Sequence, residues 1–314
     1  PDMIHLHNIH AYYLNFKLLF QFLGTTNIPV VWTLHDCWSY TGHCAYYSAV
    51  ECYKWKSECH NCPQLSSYPK SFFCDNSKRN FNLKKKLFSG CDNLHIVTVS
   101  EWLKQEVKQS FLKEKPIRVI NNGVDLSILK RNTNSKIKIP QQAIGKYILL
   151  SVATSWSKRK GLDDFIALSK ELRNDEIIVL VGLPKKIIAK LPENIVGLER
   201  TESMEELVSL YSHAGIVLSL SVEETFGMTP VEGFACGTPA IVYNSTATPE
   251  LITEETGKVV EPHDIKGIRG AIDEIRASNI DYSRTCRARA ERLYNKDDRF
   301  ADYIELYKEI LKNK

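Results

Sequence analysis

The stretch SLSVEETFGMTPVEGFACGTP, residues 219–239, is the part of the sequence that best indicates the fold. It continues the apolar residues 216–218, which are typical of a buried strand, through a Glu-rich turn into a helical run that Gly237 and Pro239 end. An open α/β sheet presents ligand-binding groups at the carboxyl ends of its strands, where such a turn lies. The start of the helix directs unpaired backbone N–H groups and the positive end of its dipole toward this edge. We therefore expect a phosphate-binding site here.

Two glutamates in this stretch are spaced for a ligand that extends along the helix. Glu224 lies in the turn and Glu232 lies eight residues later, about two helical turns deeper. By spacing alone, a solvated acidic helix start is an alternative. The whole string E-x-F-G-x-x-x-x-E-G-x-A-x-G-x-P-x-I-V is more specific. It resembles the Glu-x7-Glu signature of retaining, nucleotide-sugar-dependent glycosyltransferases of family 4, which have the GT-B fold.

The resemblance implies an α/β protein with two Rossmann-like, doubly wound domains that face each other across a cleft. A chain of 314 residues is long enough for two cores, and alternating strands and helices after residue 147 are typical of a parallel sheet. We expect an acceptor-side domain of residues 1–122 plus 297–314 and a nucleotide-sugar-binding domain of residues 123–296. The opening P-D-M-I-H-L runs straight into a strand, so we expect the first domain to be incomplete and truncated at its N-terminus.

Three residues are assigned to catalysis by the resemblance. His35 follows the buried strand 28–34, where position alone equally allows a structural role, and the family has a His there that faces the donor sugar. Glu224 matches the first Glu of the signature, which contacts that sugar. Lys160, in the turn S-W-S-K-R-K-G-L, matches a Lys that holds the donor diphosphate. The family's Arg is replaced by Thr154, so we expect Arg159 to supply its charge.

The donor-binding set continues into the helix and the following loop. The resemblance assigns the ribose hydroxyls to Glu232. It places a further Glu after the next strand, which Glu250 matches, although the usual Gly-Gly before it is Thr246-Ala247 here. The distal phosphate is expected at the backbone N–H groups of the turn and first helical residues: Thr225, Phe226, Gly227, Met228 and Thr229.

The implied reaction moves a hexosyl group from a UDP- or GDP-sugar to a saccharide or lipid-linked saccharide acceptor, with retention of configuration. No catalytic cofactor is expected, because Lys160 and the helix start would stabilise the leaving diphosphate. The pattern H-D-C-W…G-H-C…C-x6-C-x2-C-P looks like a subgroup associated with capsule, exopolysaccharide and colanic-acid synthesis. The alternatives are a nucleotide-sugar 2-epimerase of the same architecture and a catalytically silent sugar-nucleotide-binding module.

Six of the nine cysteines lie between residues 37 and 74, mostly in an insertion of residues 42–75. Cys44, Cys52, Cys59 and Cys62 could supply four thiolates to a tetrahedral Zn²⁺, and the final C-x2-C resembles a zinc knuckle. The segment has few apolar residues, so we expect a structural zinc to order it. Reduced thiols and disulfides are the alternatives.

The charge pattern limits the partners. The net charge is +4, and the first 121 residues carry 14 Lys and Arg against 9 Asp and Glu. This excess is too small and scattered for a nucleic-acid binder. No run of eighteen apolar residues occurs, so we expect a cytoplasmic protein. The basic run Lys84-Lys85-Lys86 leaves two alternatives, a solvated helix face or a peripheral contact with the inner face of the membrane.

Overall fold

The computed structural model describes residues 1–10, 13–71, 73–132 and 139–312. The chain divides into two compact units, which are described separately below. The first unit comprises Pro1–Asn121 and Arg299–Lys314, and the second comprises Asn122–Asp298. Every helix in the described ranges is too short or too polar to cross a bilayer.

The first unit is built on a parallel sheet with strand order β1-β2-β3-β4. All five residues of the second strand are buried, as expected for a strand covered on both faces. The strands are β1 (Ile4–Leu6), β2 (Val30–Leu34), β3 (Leu94–Thr98) and β4 (Ile117–Val119). The connecting helices are α1 (Phe16–Leu23), α2 (Ser77–Ser89) and α3 (Glu101–Lys108).

Helices cover both faces of this sheet. On one face, Phe20 from α1 and Phe88 from α2 pack with Trp32 from β2, with ring centroids 4.2 to 5.3 Å apart. On the other, Leu306 and Ile310 pack with the sheet. They belong to the last helix, Lys296–Lys312, most of which returns to this unit. The apolar spacing of residues 12–23 predicts a helix there. The observed helix begins at Phe16, where Asn15 caps it, and Tyr12 lies outside the described residues.

The second unit contains a larger parallel sheet with strand order β10-β9-β8-β5-β6-β7. Its strands are β5 (Tyr147–Val152), β6 (Glu176–Val181), β7 (Ile195–Leu198), β8 (Ala214–Ser219), β9 (Ala240–Tyr243) and β10 (Gly257–Val260). Its helices are α4 (Leu162–Leu168), α5 (Lys185–Ile188), α6 (Met204–His213), α7 (Met228–Ala235), α8 (Ile265–Ala277) and α9 (Tyr282–Leu293). The last helix, Lys296–Lys312, most of which belongs to the first unit, is α10. β10 was not predicted from the sequence, because its four residues follow a polar run without an apolar period.

The strand order of this second sheet locates its ligand-binding edge. From β5 the chain proceeds to β6 and β7 on one side, whereas β8, β9 and β10 extend on the other. The order therefore reverses between β5 and β8, which are neighbours. At such a point the loops after the two strands leave in opposite directions and open a crevice. The loop after β5 contains Lys160, and the loop after β8 contains Glu224.

A buried ion cluster ties α8 to the start of β6. Both carboxylate oxygens of Glu176, whose side chain is fully buried, accept hydrogen bonds from Arg269 at 2.6 and 2.9 Å, and Arg276 donates a third at 2.5 Å. Although burial alone would raise the pKa of Glu176, the hydrogen bonds from Arg269 and Arg276 outweigh burial and lower it. Both arginines also pair with a more exposed aspartate, Asp273 or Asp175.

We predict that Glu176→Gln lowers the free energy of unfolding by about 3 kcal/mol, because it removes one partner of a buried pair. Urea unfolding at neutral pH measures this loss. Asp175→Asn is the matched control, since its carboxylate pairs with Arg276 at the exposed rim, and it should have a clearly smaller effect. Equal losses in the two variants would contradict the buried network.

Candidate active site

The loop after β5 brings two cations to the carboxyl edge of the second sheet. A 3-10 turn, Lys158–Lys160, precedes Gly161, which has φ +73° and starts α4. A Cβ at Gly161 would lie 2.3 Å from the carbonyl oxygen of Leu220. The turn therefore packs directly against the end of β8, and only glycine permits this approach. A Lys-Gly turn before a helix predicts a close backbone approach at the glycine, and the observed neighbour is the adjacent loop.

The carboxylate of Glu224 forms ion pairs with both of these cations. Lys160 Nζ donates to Glu224 Oε1 at 2.5 Å, and an Arg159 guanidinium nitrogen lies 3.5 Å from the same oxygen. The three side chains are only 16 to 23% exposed. Arg159 also donates to the backbone carbonyl of Glu223 and accepts from the N–H of Val222 through its own carbonyl. Ion pairs and a backbone hydrogen bond thus connect the two loops at the switch point.

A turn after β9 holds the backbone of Glu224. The N–H of Glu224 donates to the hydroxyl of Thr246 at 2.9 Å, and its carbonyl accepts from the N–H of Ala247 at 3.2 Å. Thr246 has φ +52°, in the left-handed region that favours glycine and is costly for a β-branched residue. The resemblance implied a Gly-Gly pair here. Thr246 adopts a backbone conformation of the kind that glycine favours, and its hydroxyl holds the backbone of Glu224.

Helix α7 begins next to this turn at Gly227, which has φ +104°. The side chains of Thr225 and Phe226 are buried, so any contact they make with a ligand is through the backbone. The hydroxyl of Thr229 donates to the carbonyl of Val152 at the end of β5. The helix start therefore lies beside the ends of both switch-point strands, with Met228 partly exposed. This geometry suits an anion, because the first-turn N–H groups lack helical partners.

Glu232 lies further along α7 and accepts a hydrogen bond from a buried tyrosine. The hydroxyl of Tyr211, from α6, donates to Glu232 Oε2 at 2.5 Å, and the tyrosine is fully buried. Burial raises the pKa of the Glu232 carboxyl, and the hydrogen bond from Tyr211 opposes that rise. Tyr211 was not identified from the sequence, since it follows the apolar period of its helix and lies 21 residues from its partner.

Glu250 is exposed in a 3-10 turn, Thr248–Leu251. Its backbone carbonyl accepts a hydrogen bond from Arg289 of α9 at 3.1 Å. The structure thus places four predicted residues, Arg159, Lys160, Glu224 and Glu250, in loops at one edge of the second sheet. It joins the first three directly.

His35 belongs to the first unit, directly after β2. Its Nε2 and the Nδ1 of His7, which follows β1, are 3.0 Å apart, and the ring of His5 lies 4.3 Å from that of His7. Burial lowers the pKa of all three imidazoles, that of His5 to about 4, and the mutual charges of the cluster lower those of His5 and His35 further. At neutral pH these rings are therefore neutral hydrogen-bonding groups, suited to hydroxyls.

The predicted zinc site is not supported. In the described part of the chain, no group of three or more His, Cys, Asp or Glu side chains is placed to hold a metal ion. The four cysteines border one small cavity, but Cys44 and Cys62 hydrogen-bond each other, which raises the pKa of Cys44 and lowers that of Cys62. Cys59 accepts a hydrogen bond from the N–H of Gly42. Cys52 and these three are free thiols.

The physical premise for zinc is also wrong. The insertion was expected to have too few apolar residues to order itself. Instead Trp55 and Tyr47, both buried, pack with Tyr40, and the Trp55 ring lies 4.9 and 5.1 Å from the two tyrosines. These aromatic side chains provide the segment with an apolar core.

Comparisons with known proteins identify the family to which the sequence is related. Residues 133–293 match the family described as Glycosyl transferases group 1, and residues 1–128 match Glycosyltransferase Family 4. A protein of Escherichia coli (strain K12), named for glycosyl transfer in colanic acid biosynthesis, is 25% identical over 84% of this chain and 65% of its own length. The O-antigen chain mannosyltransferase of Salmonella typhimurium is 27% identical over 58% of this chain and 50% of its length. The chain thus spans less than two thirds of both relatives.

Solved structures confirm the predicted GT-B fold class. Sucrose-phosphate synthase from Thermosynechococcus elongatus superposes with a TM-score of 0.75 at 19% identity, over 100% of this chain and 74% of that one. The Anabaena protein HepE in complex with UDP-glucose gives 0.65 at 17% identity, over 98% and 79%.

We predict that Tyr211→Phe destabilises the protein more at pH 7 than at pH 4. Burial raises the pKa of Glu232 in the folded state above its unfolded value of 4.5. The free energy of unfolding therefore falls as the pH rises from below 4.5 through the folded-state pKa. Removing the Tyr211 hydroxyl raises the folded pKa further and enlarges that loss, to about 1–2 kcal/mol at pH 7.

Urea unfolding at the two pH values measures this difference. Tyr282→Phe removes a hydroxyl from a half-buried tyrosine at the start of α9 and is the control. An equal destabilisation of Tyr211→Phe at both pH values would show that the hydroxyl does not stabilise the carboxylate.

Proposed function

The chain belongs to the glycosyl transferases of group 1, and from that premise we propose that it transfers a hexosyl group from a nucleoside-diphosphate sugar. The acceptor is a saccharide or lipid-linked saccharide, the anomeric configuration is retained, and the product contributes to a surface polysaccharide. The names of the two relatives, which refer to colanic acid and to O-antigen chains, support this role. The UDP-glucose complex of HepE supports a nucleotide-sugar donor.

One observation carries the proposal: Lys160 and Arg159 meet Glu224 at the switch point of the second sheet. A carboxylate neutralised by two cations, beside a helix start, is a site prepared for an incoming anion. The donor diphosphate competes with Glu224 for Lys160 and Arg159, since it accepts the same charge-assisted hydrogen bonds and carries more negative charge than one carboxylate. The bridging carboxylate is then released to accept hydrogen bonds from sugar hydroxyls.

The same groups stabilise the leaving diphosphate. As the bond between the sugar and the diphosphate breaks, negative charge grows on the phosphate oxygens. Lys160 and the N–H groups at the start of α7 face that charge from fixed positions, which lowers the barrier without reorganisation. The partial burial of Lys160 and Glu224 strengthens these interactions relative to water.

The remaining predicted residues bind the rest of the donor. The carboxylate of Glu232, which Tyr211 orients, accepts hydrogen bonds from the ribose hydroxyls. Glu250, whose backbone carbonyl accepts a hydrogen bond from Arg289, is assigned to the donor through its exposed carboxylate. We assign the donor to the second unit and the acceptor to the first, where His35 and His7 provide neutral imidazoles for sugar hydroxyls.

The test is release of UDP or GDP from a panel of nucleotide sugars by the intact protein, with and without lipid-linked saccharide acceptors. We expect one donor to release its nucleotide faster when acceptor is present, with a glycosylated product of retained configuration. Conversion of the donor to its 2-epimer would contradict the proposal in favour of the isomerase. Donor binding without turnover would favour the silent module.

Glu224→Gln keeps the side-chain shape, removes the charge and should lower the transfer rate about 100-fold, the scale seen when one charge-stabilising group is lost. Glu202→Gln, at an exposed glutamate of the same unit, is the matched control and should retain the wild-type rate. Near-wild-type turnover by Glu224→Gln would remove Glu224 from the reaction.

A further inference from the structure

A cavity of about 270 Å³ lies in the first unit beneath the cysteine-rich insertion. Its walls include Phe16, His10, Trp38, His43, Asn76 and Asn80. We propose that this cavity is a saccharide-binding subsite that holds one sugar ring of the acceptor. The assignment of that sugar as the acceptor rests on the proposed function; the saccharide site itself rests on the following observations.

The cavity is at the functional edge of its sheet. Four of the lining residues lie in connections between a strand and the helix that follows it, or at the start of that helix. His10 follows β1, Trp38 follows β2, Phe16 begins α1 and Asn76 precedes α2. In a parallel sheet all these positions lie at the carboxyl ends, where ligands bind. A larger cavity of about 430 Å³, lined by Pro29, Asn93 and Pro116 among others, lies at the opposite edge.

The walls are fastened to the residue next to His35. Asp36 accepts a hydrogen bond from the N–H of Trp38 at 2.9 Å through one oxygen, and its other oxygen lies 2.7 Å from Nε2 of His10. The second ring nitrogen of His10 pairs with the hydroxyl of Tyr68 in the insertion at 2.9 Å. A ligand in this cavity therefore lies between the insertion and the strand end that presents His35.

The lining matches a sugar in its chemistry. Phe16 and Trp38 provide an apolar wall for the C–H face of a pyranose, and Lys84 covers the Trp38 ring with its ammonium 3.3 Å from the ring centroid. Asn80 and Asn76 carry amides that both donate and accept, which suits hydroxyl groups. The Asn76 side chain makes no capping hydrogen bond, although it stands at the N-cap of α2.

The wall of the cavity includes a histidine with an unpartnered ring nitrogen. His43 Nε2 is buried and has no hydrogen-bond partner among the residues that the structure describes. His43 lines this cavity and also borders the cysteine cavity. Burial lowers the pKa of His43, so its ring is neutral and can bond a hydroxyl. An unpaired buried polar atom is costly unless something satisfies it.

Size favours a single sugar ring over a nucleotide. The volume is just below the roughly 300 Å³ at which pockets for drug-sized ligands begin. Among the described residues that line the cavity, Lys70 is the one lysine or arginine. The edge of the second unit has two cations side by side, Arg159 and Lys160, so the charge of the two sites differs.

The test is binding of methyl glycosides of glucose, mannose and galactose by saturation-transfer NMR, with the affinity taken from titration. We expect one glycoside to bind saturably and the double variant Asn76→Ala/Asn80→Ala to weaken it at least tenfold. Alanine favours helix at position 80, and the Asn76 side chain makes no cap, so the variant should fold. Asn279→Ala, at an exposed asparagine of the second unit, is the matched control and should bind as the wild type does.

Absence of saturable glycoside binding, or unchanged affinity in the folded double variant, would overturn the subsite. UDP and GDP are titrated into the same samples. Nucleotide binding without glycoside binding overturns the subsite alone. Glycoside binding by a protein that binds neither nucleotide supports the saccharide site and contradicts the proposed transfer reaction.

Discussion

The ion pair between Lys160 and Glu224 is the interaction on which the proposed chemistry depends. It joins the loops that follow β5 and β8, two neighbouring strands from which the chain leaves in opposite directions. Gly161 permits the contact because its missing Cβ leaves room for the carbonyl of Leu220. The residues that surround the pair fix the backbone of Glu224, so the charges are held in place before a donor arrives.

Much of this architecture could be predicted from the sequence, because alternating strands and helices have distinct periodicities. Buried strands such as β2 and β6 are continuous apolar runs, and the Glu224 string marks a strand-turn-helix edge. The sequence assigned Lys160 and Glu224 to one donor site, but their ion pair was not predicted and is seen only in the fold. The resemblance supplied the roles of these residues, which spacing alone left open.

The rest depends on tertiary contacts that no local pattern encodes. Tyr211 resembles any core residue of α6, and only the fold brings its hydroxyl to Glu232. Thr246 replaced an expected glycine, yet its left-handed backbone and hydroxyl preserve the turn. The cysteine spacing suggested a metal, but Trp55 and its tyrosine neighbours order the insertion, a packing that the scattered aromatic positions concealed.

Calorimetric titration of UDP and GDP into the wild-type protein and Lys160→Ala tests whether this edge binds the donor. We expect one nucleotide to bind with 1:1 stoichiometry and the variant to lose at least tenfold in affinity, about 1.4 kcal/mol or more. Lys158→Ala, which removes an exposed lysine from the same turn, should bind as the wild type does. No binding of either nucleotide, or equal affinity in Lys160→Ala, would contradict the assignment of this edge as the donor site.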